Sequence, residues 1–265
     1  MIELDKIYNI DCLEGMKQID DFSIDCIICD PPYEVLNKKN QNAQWDKSLP
    51  LDKLWEQYNR IIKDNGAILI FGSGMFTAKV MMSQPKLWRY NLIWDKCRTT
   101  GFFNANRMPL RRHEDIVVFY KSLPTYHPQM TIGKPCHPRG KVKREFANNC
   151  YGKDDGTRYY ARNVQNDELG QQAEKYPTSI VRFEKEHDAK VSHPTQKPVA
   201  LIQWLIRTFT DEGQIVLDNT IGSGTTAVAA IRERRHYVGF ELDKGYFDIA
   251  QERIKETYME QANNK

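Results

Sequence analysis

Long apolar runs are missing from this chain of 265 residues. The longest apolar stretches, at residues 24–29 and 68–71, have the length of β-strands, whereas a membrane-spanning helix needs about 18 apolar residues. Cysteine is scarce, and its six scattered residues form no pattern typical of small disulfide-rich proteins. Residues 1–5 contain neither the basic run nor the apolar segment of a secretion signal. We therefore expect no association with a membrane and a location in the reducing cytoplasm.

The chain has little net charge, +3, but that charge is distributed unevenly. Residues 96–144 contain eleven Lys or Arg against two acids and carry +9, so the remainder carries −6. Such a segment is typical of a surface that faces a polyanion, although solvated surface charges give the same pattern. Hydrophobic residues make up 40% of the sequence, enough for a continuous buried core and too many for a disordered chain.

Short β-rich runs alternate with helical patterns, which predicts βα units and a mostly parallel sheet. Residues 123–192 interrupt this alternation with frequent Pro, Gly, Asn, Lys and Arg, and we interpret them as a loop-rich insertion. Residues 1–122 and 193–265 then form the main domain. Strands are predicted at residues 7–10, 24–29, 67–71, 91–94, 115–120, 214–217 and 237–240, and helices at 51–63, 76–82, 199–209, 225–234 and 243–258.

An apolar strand, a glycine turn and a helix start follow one another at residues 215–227. Glycines at such a turn let the backbone approach a ligand, and the helix N-terminus presents free amides to it. Glu241 ends the next predicted strand, where nucleotide-binding units carry an acid for ribose hydroxyls. Dinucleotides and adenosine cofactors such as S-adenosylmethionine both fit. Asp218 favours the second class, because a carboxylate repels a pyrophosphate and attracts a cationic amino group.

Asp30-Pro31-Pro32-Tyr33 directly follows the predicted strand 24–29, at the sheet edge where α/β proteins bind ligands. The prolines fix the backbone, remove two amide donors and leave carbonyl acceptors beside a carboxylate and an aromatic ring. This group suits a planar ligand with an exocyclic amine. Asp30 and the Pro31 carbonyl would accept its N–H groups, and Tyr33 would stack on its ring. A strand-ending turn without chemistry is also consistent with the motif.

Three motifs in this order resemble the β class of amino-methylating DNA methyltransferases: Asp30-Pro31-Pro32-Tyr33, then His193-Pro194-Thr195-Gln196-Lys197-Pro198, and last the glycine turn. The resemblance covers most of residues 3–260 and leaves only the middle segment unmatched. It implies a doubly wound, mostly parallel, seven-stranded α/β sheet of the Rossmann-like methyltransferase type with permuted motif order. It also implies site-specific methylation of adenine N6 in DNA, with S-adenosylmethionine as cofactor and a flipped target base. Cytosine N4, or adenine in RNA, is the alternative acceptor on the same fold.

The resemblance assigns roles to individual residues. Asp218 with the glycine turn matches the methionine-binding motif, Glu241 the ribose-binding acid and Asp11 the acid that contacts the adenine of the cofactor. The family usually has Pro-Phe where Asn219-Thr220 stand, so an aromatic contact with the cofactor is missing here. The implied catalytic residues are Asp30, Pro31, Pro32 and Tyr33, and the implied cofactor-binding residues are Asp11, Cys12, Asp30, Lys197, Asp218, Asn219, Gly222, Ser223, Gly224, Thr225, Glu241 and Leu242.

The resemblance also gives the basic segment a partner, double-stranded DNA. We place target recognition in the insertion, residues 123–192, and we expect a homodimer and a separately encoded restriction endonuclease as further partners. Phosphate contacts, with some reading of guanine edges, are predicted for Arg98, Arg107, Arg111, Arg112, Lys121, Lys134, Arg139, Lys141, Lys143 and Arg144.

Two alternatives come from other classes. A nicotinamide-dependent oxidoreductase would share the glycine turn but would not explain Asp30-Pro31-Pro32-Tyr33 or the basic segment. A non-catalytic DNA-binding protein would keep the fold and lose the cofactor site.

No metal site is expected. Cys26 and Cys29 point to opposite faces of a strand, and Cys136-His137 with Cys150 is too sparse for zinc. His113-Glu114, before a predicted strand, is interpreted as structural rather than as an acid/base pair.

Overall fold

The computed structural model describes residues 2–33, 49–133, 164–167, 170–184 and 196–263, with the backbone alone for 164–167 and 170–173. The chain divides into two compact units, Met1–His127 with Ser179–Lys265, and Pro128–Thr178. The described strands are β1 (Lys6–Tyr8), β2 (Ile24–Cys29), β3 (Ile62–Gly72), β4 (Trp88–Thr100), β5 (Arg111–Phe119), β6 (Thr131–Gly133), β7 (Val164–Asp167), β8 (Gly170–Lys175), β9 (Ile180–Arg182), β10 (Ile215–Asp218) and β11 (His236–Phe240). The described α-helices are α1 (Cys12–Met16), α2 (Leu51–Ile61), α3 (Met75–Ser83), α4 (Val199–Phe209), α5 (Thr225–Arg232) and α6 (Lys244–Asn263).

Eight described strands of the larger unit form one sheet in the order β1-β11-β10-β2-β3-β5-β4-β9. Neighbouring strands are parallel except at β5, which runs antiparallel to both β3 and β4. The doubly wound, mostly parallel α/β fold is therefore confirmed, but the strand number is eight rather than seven. The additional strand is β9, whose three residues pair with β4 at the edge of the sheet, although the sequence analysis placed them in the insertion.

Helices cover both faces of this sheet because its strands alternate between two apolar clusters. In β2, Cys26 and Ile28 belong to the cluster that packs against α4, α5 and α6, whereas Ile27 and Cys29 face α1, α2 and α3. The expectation that Cys26 and Cys29 point to opposite faces is thus confirmed. Each cluster excludes water from one side of the sheet, which makes the strands a rigid support for the loops at their ends.

The parallel direction of β1, β11, β10 and β2 brings four strand ends to one edge of the sheet. An acid stands at or just beyond each of these carboxyl ends. Asp218 is the last residue of β10, Asp30 and Glu241 directly follow β2 and β11, and Asp11 is the N-cap of α1 after β1. Residues that are distant in sequence therefore meet at one edge, which is where parallel α/β sheets bind ligands.

The smaller unit contains a three-stranded antiparallel sheet in the order β6-β8-β7. Thr131 pairs with Lys175 in it, and Val164 pairs with Ala173. In the described part of the chain, no helix is long and apolar enough to cross a membrane.

Candidate active site

A cavity of about 490 Å³ opens at the carboxyl edge of the larger sheet. Its walls come from the loops after β1, β2, β10 and β11 and from the segment before α4. Among the residues that the sequence analysis selected, Pro31, Tyr33 and Gly224 do not line it. Those that do are Asp11, Cys12, Asp30, Pro32, Lys197, Asp218, Asn219, Gly222, Ser223, Thr225, Glu241 and Leu242.

The carboxylate of Asp30 is held on both oxygens. The Tyr33 hydroxyl donates to Oδ1 at 2.6 Å, and the Lys197 ammonium donates to Oδ2 at 2.5 Å. The Tyr33 ring stacks on Phe76, with 4.9 Å between ring centroids and 27° between planes, which fixes the plane of the ring. Burial raises the pKa of Asp30, and the nearby Lys197 ammonium offsets only part of this effect. Asp30 is thus a fixed acceptor at the cavity wall.

Lys197 also contacts a second carboxylate that the sequence analysis treated as structural. Its Nζ lies 3.4 Å from Glu114 Oε2, and Lys96 Nζ lies 3.1 Å from Glu114 Oε1. The four side chains form a chain of alternating charges, Asp30–Lys197–Glu114–Lys96, which we call the charge chain. Glu114 stands on β5 and Lys96 on the neighbouring β4, so the pairing of two strands creates this contact.

The partners in the charge chain hold their charges despite burial. Although burial alone would lower the pKa of Lys197, Asp30 and Glu114 raise it above its usual value. Although burial alone would raise the pKa of Glu114, the ammonium groups of Lys197 and Lys96 lower it. The Lys197 ammonium also lies 4.9 Å from the centre of the Phe71 ring, a cation–π contact. The chain therefore presents fixed charges of both signs beside the cavity.

The glycine turn holds two acids in place. Asp218 accepts a hydrogen bond from the Thr226 hydroxyl at 2.5 Å and from the Thr220 amide at 3.0 Å. Glu241 accepts from the amides of Gly222 at 2.9 Å and Asp243 at 2.8 Å. Burial raises the pKa of Asp218 to about 7, although these hydrogen bonds act in the opposite direction. A buried carboxylate with such a pKa favours a cationic ligand group.

Asn219 occupies the position where the sequence departs from the family pattern. Its side chain is buried and its Oδ1 accepts a hydrogen bond from the Tyr58 hydroxyl at 2.6 Å. Thr220, the second departing residue, contacts the Cys29 thiol at 3.4 Å. Both residues line the cavity, so this part of its wall is polar where the family has proline and an aromatic ring.

Two further residues support the turn: Gln196 of the middle motif, and Arg253, which carried no signal in the sequence. Arg253 on α6 donates from Nη1 to the Ser223 carbonyl at 2.5 Å, and Ser223 Oγ donates to Gln196 at 2.9 Å. These bonds tie α6 and the segment before α4 to the glycine turn. Asp11 has a local role as well, since it caps α1 by accepting from the amides of Leu13 and Glu14.

Some of the side chains predicted to contact DNA pair with carboxylates of the protein, and others do not. Arg112 binds both oxygens of Asp95 at 2.7 and 3.1 Å, and Arg98 contacts Glu184 at 3.3 Å. Arg107 and Arg111 are exposed, and no carboxylate of the described residues pairs with them. Lys121 lies 3.8 Å from an Asp64 oxygen. The remaining predicted contacts, Lys134, Arg139, Lys141, Lys143 and Arg144, lie outside the described residues.

Within the described ranges, no group of three His, Cys, Asp or Glu side chains is arranged to hold a metal ion. Cys136, His137 and Cys150 lie outside those ranges, as does the segment 193–195 of the middle motif.

Gly224 offers a test of how closely the turn packs. Its alanine variant is expected to lose roughly 2–5 kcal/mol of stability, because the backbone φ of +83° costs about 1–2 kcal/mol with a side chain and overpacking costs about 1–3 kcal/mol. A Cβ there would lie 2.9 Å from that of Ala250 on α6. Gly213→Ala is the matched control, with φ of +79° and no described atom within 4 Å of the added carbon. Equal losses in denaturant unfolding would contradict the contact with Ala250.

Comparisons with known proteins agree with this geometry. The sequence pattern of the DNA methylase family of N6/N4 methyltransferases matches residues 24–252. The type II methyltransferase M.BglII of Bacillus subtilis is 30% identical over 268 residues, which cover 93% of this chain and 68% of that protein. Among solved structures, the M1.HpyAVI-SAM complex superposes with a TM-score of 0.60 at 22% identity, covering 94% of this chain and 98% of that one. The cytosine-N4-specific PvuII DNA methyltransferase gives 0.65 at 16% identity, covering 98% and 93%.

Proposed function

The chain belongs to the DNA methylase family of N6/N4 methyltransferases, and from this premise we propose that it transfers the methyl group of S-adenosylmethionine to adenine N6 in double-stranded DNA. The observation that carries the proposal is the position of Asp30. Its carboxylate lies at the wall of a cofactor-sized cavity that the glycine turn, Asp218 and Glu241 also line. An acceptor for an amine and a site for an adenosine cofactor are thus adjacent.

The cavity suits S-adenosylmethionine in size and chemistry. A volume of about 490 Å³ lies within the usual range of small-molecule sites, roughly 300–1,000 Å³. Asp218 would bind the cationic amino group of the cofactor, and Glu241 would accept hydrogen bonds from its ribose hydroxyls. The solved M1.HpyAVI-SAM complex supports this cofactor for the same fold. When bound, the cofactor supplies an electrophilic methyl group on a sulfonium.

The protein contributes positioning and electrostatic stabilisation to the transfer. The exocyclic amine of adenine is a poor nucleophile, because its lone pair is delocalised into the ring. Asp30 and the Pro31 carbonyl accept its two N–H groups, which localises the lone pair and stabilises the positive charge that develops on nitrogen. Because a base inside a duplex cannot reach this edge of the sheet, the target base is flipped out of the helix and stacks on Tyr33.

The charge chain sets the potential at this nitrogen. Lys197 alone would cancel the negative charge of Asp30 at the place where positive charge develops. Glu114, on the far side of Lys197, offsets part of the positive charge of Lys197, and Lys96 keeps the buried Glu114 carboxylate ionised. Glu114 is therefore a positioning residue that acts through Lys197.

Glu114→Gln is expected to lower kcat about tenfold and to leave the KM for the cofactor unchanged, since removing one charge from a partly buried site costs on the order of 1 kcal/mol or more. Steady-state kinetics with DNA from cells lacking the enzyme measures both constants. Glu212→Gln is the control, because Glu212 precedes β10 at the opposite edge of the sheet and pairs there with the exposed Arg234. An unchanged kcat in the Glu114 variant would contradict the role of the charge chain.

Cytosine N4 is a second candidate acceptor. A cytosine-N4-specific enzyme shares the fold over 98% of this chain. We favour adenine because the resemblance associates Asp30-Pro31-Pro32-Tyr33 mainly with adenine N6. DNA from cells that express the protein is digested to nucleosides, and the modified base is identified by mass spectrometry. Detection of N6-methyladenine supports the proposal, and detection of N4-methylcytosine instead makes cytosine the acceptor. If neither modified base is found, the proposed activity is refuted.

Methylation-sensitive sequencing of the same DNA gives the recognition site. We place target recognition in residues 123–192. Exchange of this segment for that of a relative then changes the site. The protein itself is proposed to act on DNA in the cytoplasm. A homodimer and a cognate endonuclease remain part of the proposal, and the type II assignment of M.BglII is in keeping with the second.

Cofactor binding distinguishes the proposed function from the alternative of a nicotinamide-dependent oxidoreductase. The midpoint temperature of thermal unfolding is expected to rise with S-adenosylmethionine and not with NAD, because only a ligand that binds the folded state stabilises the protein.

A further inference from the structure

The hairpin of β4 and β5 projects beyond the sheet on the side of Asp30. The last β3–β5 pair is Gly72 with Asp115, whereas β4–β5 pairing continues to Thr100 with Arg111. Because β3 and β4 both run antiparallel to β5, the end of β4 lies at the same carboxyl edge as the ends of β2 and β3. The hairpin turn, residues 101–110, therefore lies beyond the carboxyl edge of the sheet, the edge that carries Asp30.

Large apolar side chains stand at this turn without a core to cover them. Phe103 is fully exposed, Phe102 is 67% exposed and Met108 is 57% exposed. Gly101, in the left-handed region with φ of +92°, begins the short 3-10 turn Phe102–Asn104 that presents both rings. Exposed aromatic side chains grouped on one protruding turn mark a binding surface more often than a single exposed apolar residue does.

The charge around these rings identifies the partner. Residues 97–113 contain four arginines and no Asp or Glu. Arg98 and Arg112 contact acids of the protein, while Arg107 and Arg111 extend to solvent with no carboxylate partner in the described part of the chain. A second copy of the hairpin would bring like charges together, which disfavours self-association. Aromatic rings flanked by arginines fit a polyanion with stacked bases, namely DNA.

We propose that Phe102 and Phe103 form a wedge that enters the base stack of duplex DNA beside the flipped target, while Arg107 and Arg111 bind the flanking phosphates. The proposal rests on the proposed function, since it adds a second element to base flipping. Removal of a base from the stack breaks its stacking and pairing contacts. An aromatic ring in the vacated space restores stacking with the neighbouring bases.

The test compares paired and mispaired targets. The substrates are a duplex containing the recognition site found by sequencing and the same duplex with the target base mispaired. Phe102→Ala/Phe103→Ala is expected to methylate the paired duplex about tenfold more slowly at subsaturating DNA, in line with the value of one base–aromatic stack. On the mispaired duplex the loss shrinks, because a mispaired base is already easier to extrude. Phe22→Ala, an exposed aromatic before β2 at the opposite edge, is the control and keeps the wild-type rate on both.

A second measurement separates the arginines from the rings. Arg107→Ala and Arg111→Ala are each expected to reduce the slope of log binding constant against log salt concentration by about one, for a duplex of unrelated sequence. An unchanged rate for the double phenylalanine variant, or an equal loss on both duplexes, overturns the wedge. If the double phenylalanine variant changes its oligomeric state while its DNA methylation is unchanged, the rings contact a second copy of the chain. This result also overturns the wedge. Failure of the wild-type protein to methylate either duplex refutes the proposed function instead.

Discussion

Asp30→Ala is expected to reduce methyl transfer by about 10²- to 10³-fold while the protein still folds and binds its cofactor. The magnitude is that of removing one preorganised hydrogen-bonding group from the place where charge develops. In the structure the Asp30 carboxylate is fixed by Tyr33 and Lys197, so it meets the amine without a cost of reorganisation. Single-turnover incorporation of labelled methyl groups into DNA measures the rate.

The variant can be shown to be intact before its rate is interpreted. Lys197 keeps Glu114 as a partner when Asp30 is removed, so its ammonium is not left as an isolated buried charge. Circular dichroism and cofactor titration then match the wild-type protein. Asp30→Asn, which keeps the shape and removes the charge, distinguishes charge from packing. A folded, cofactor-bound Asp30→Ala enzyme with the wild-type rate would falsify the catalytic role.

The pH profile provides a further check of Asp30. Burial raises its pKa, so protonation removes the acceptor at a higher pH than it would for an exposed aspartate. The transfer rate therefore falls as the pH falls through this raised pKa, and the Asp30→Asn variant lacks that acidic limb.

Asp218→Asn is expected to weaken the binding of S-adenosylmethionine roughly 10²-fold, because truncating one partner of a buried, hydrogen-bonded charge pair costs about 2–5 kcal/mol. The wild-type affinity also depends on pH. Burial raises the pKa of Asp218 to about 7, and under the proposed function the cationic amino group of the cofactor binds the ionised form of this carboxylate. Affinity thus increases from pH 5 to pH 7 by up to about tenfold per pH unit, and this increase disappears in the variant. Isothermal titration at three pH values measures it.

The same substitution is expected to stabilise the protein without ligand. For an acid whose pKa is raised by folding, the folded state keeps its proton while the unfolded state releases it between pH 4 and pH 7. This group therefore lowers wild-type stability across that interval, by on the order of 4 kcal/mol for a shift from 3.8 to about 7. The asparagine variant lacks this loss and should unfold at higher denaturant concentration at pH 8. Lower stability of the variant at pH 8 would contradict the buried charge.

Local patterns in the sequence predicted the elements with long apolar runs. β2 and α4 have the predicted bounds, because a buried strand and an amphipathic helix each leave a continuous signal. α1 was missed since five residues are too few for a helical period, and β9 was missed because a three-residue edge strand has meaning only beside β4. The positions of Asp30, Asp218 and Glu241 followed from the strands that precede them.

The sequence alone determined the order of the longer strands and helices of the main domain, the glycine turn and the acids at strand ends, because each depends on neighbouring residues and on the shared direction of parallel strands. Only the tertiary structure decided which charges meet. The register of β4 and β5 places Glu114 between Lys96 and Lys197, and burial sets the pKa of Asp218. The same register carries Phe103 beyond the sheet. Strand register and burial arise from contacts between distant segments, which no local pattern of residues specifies.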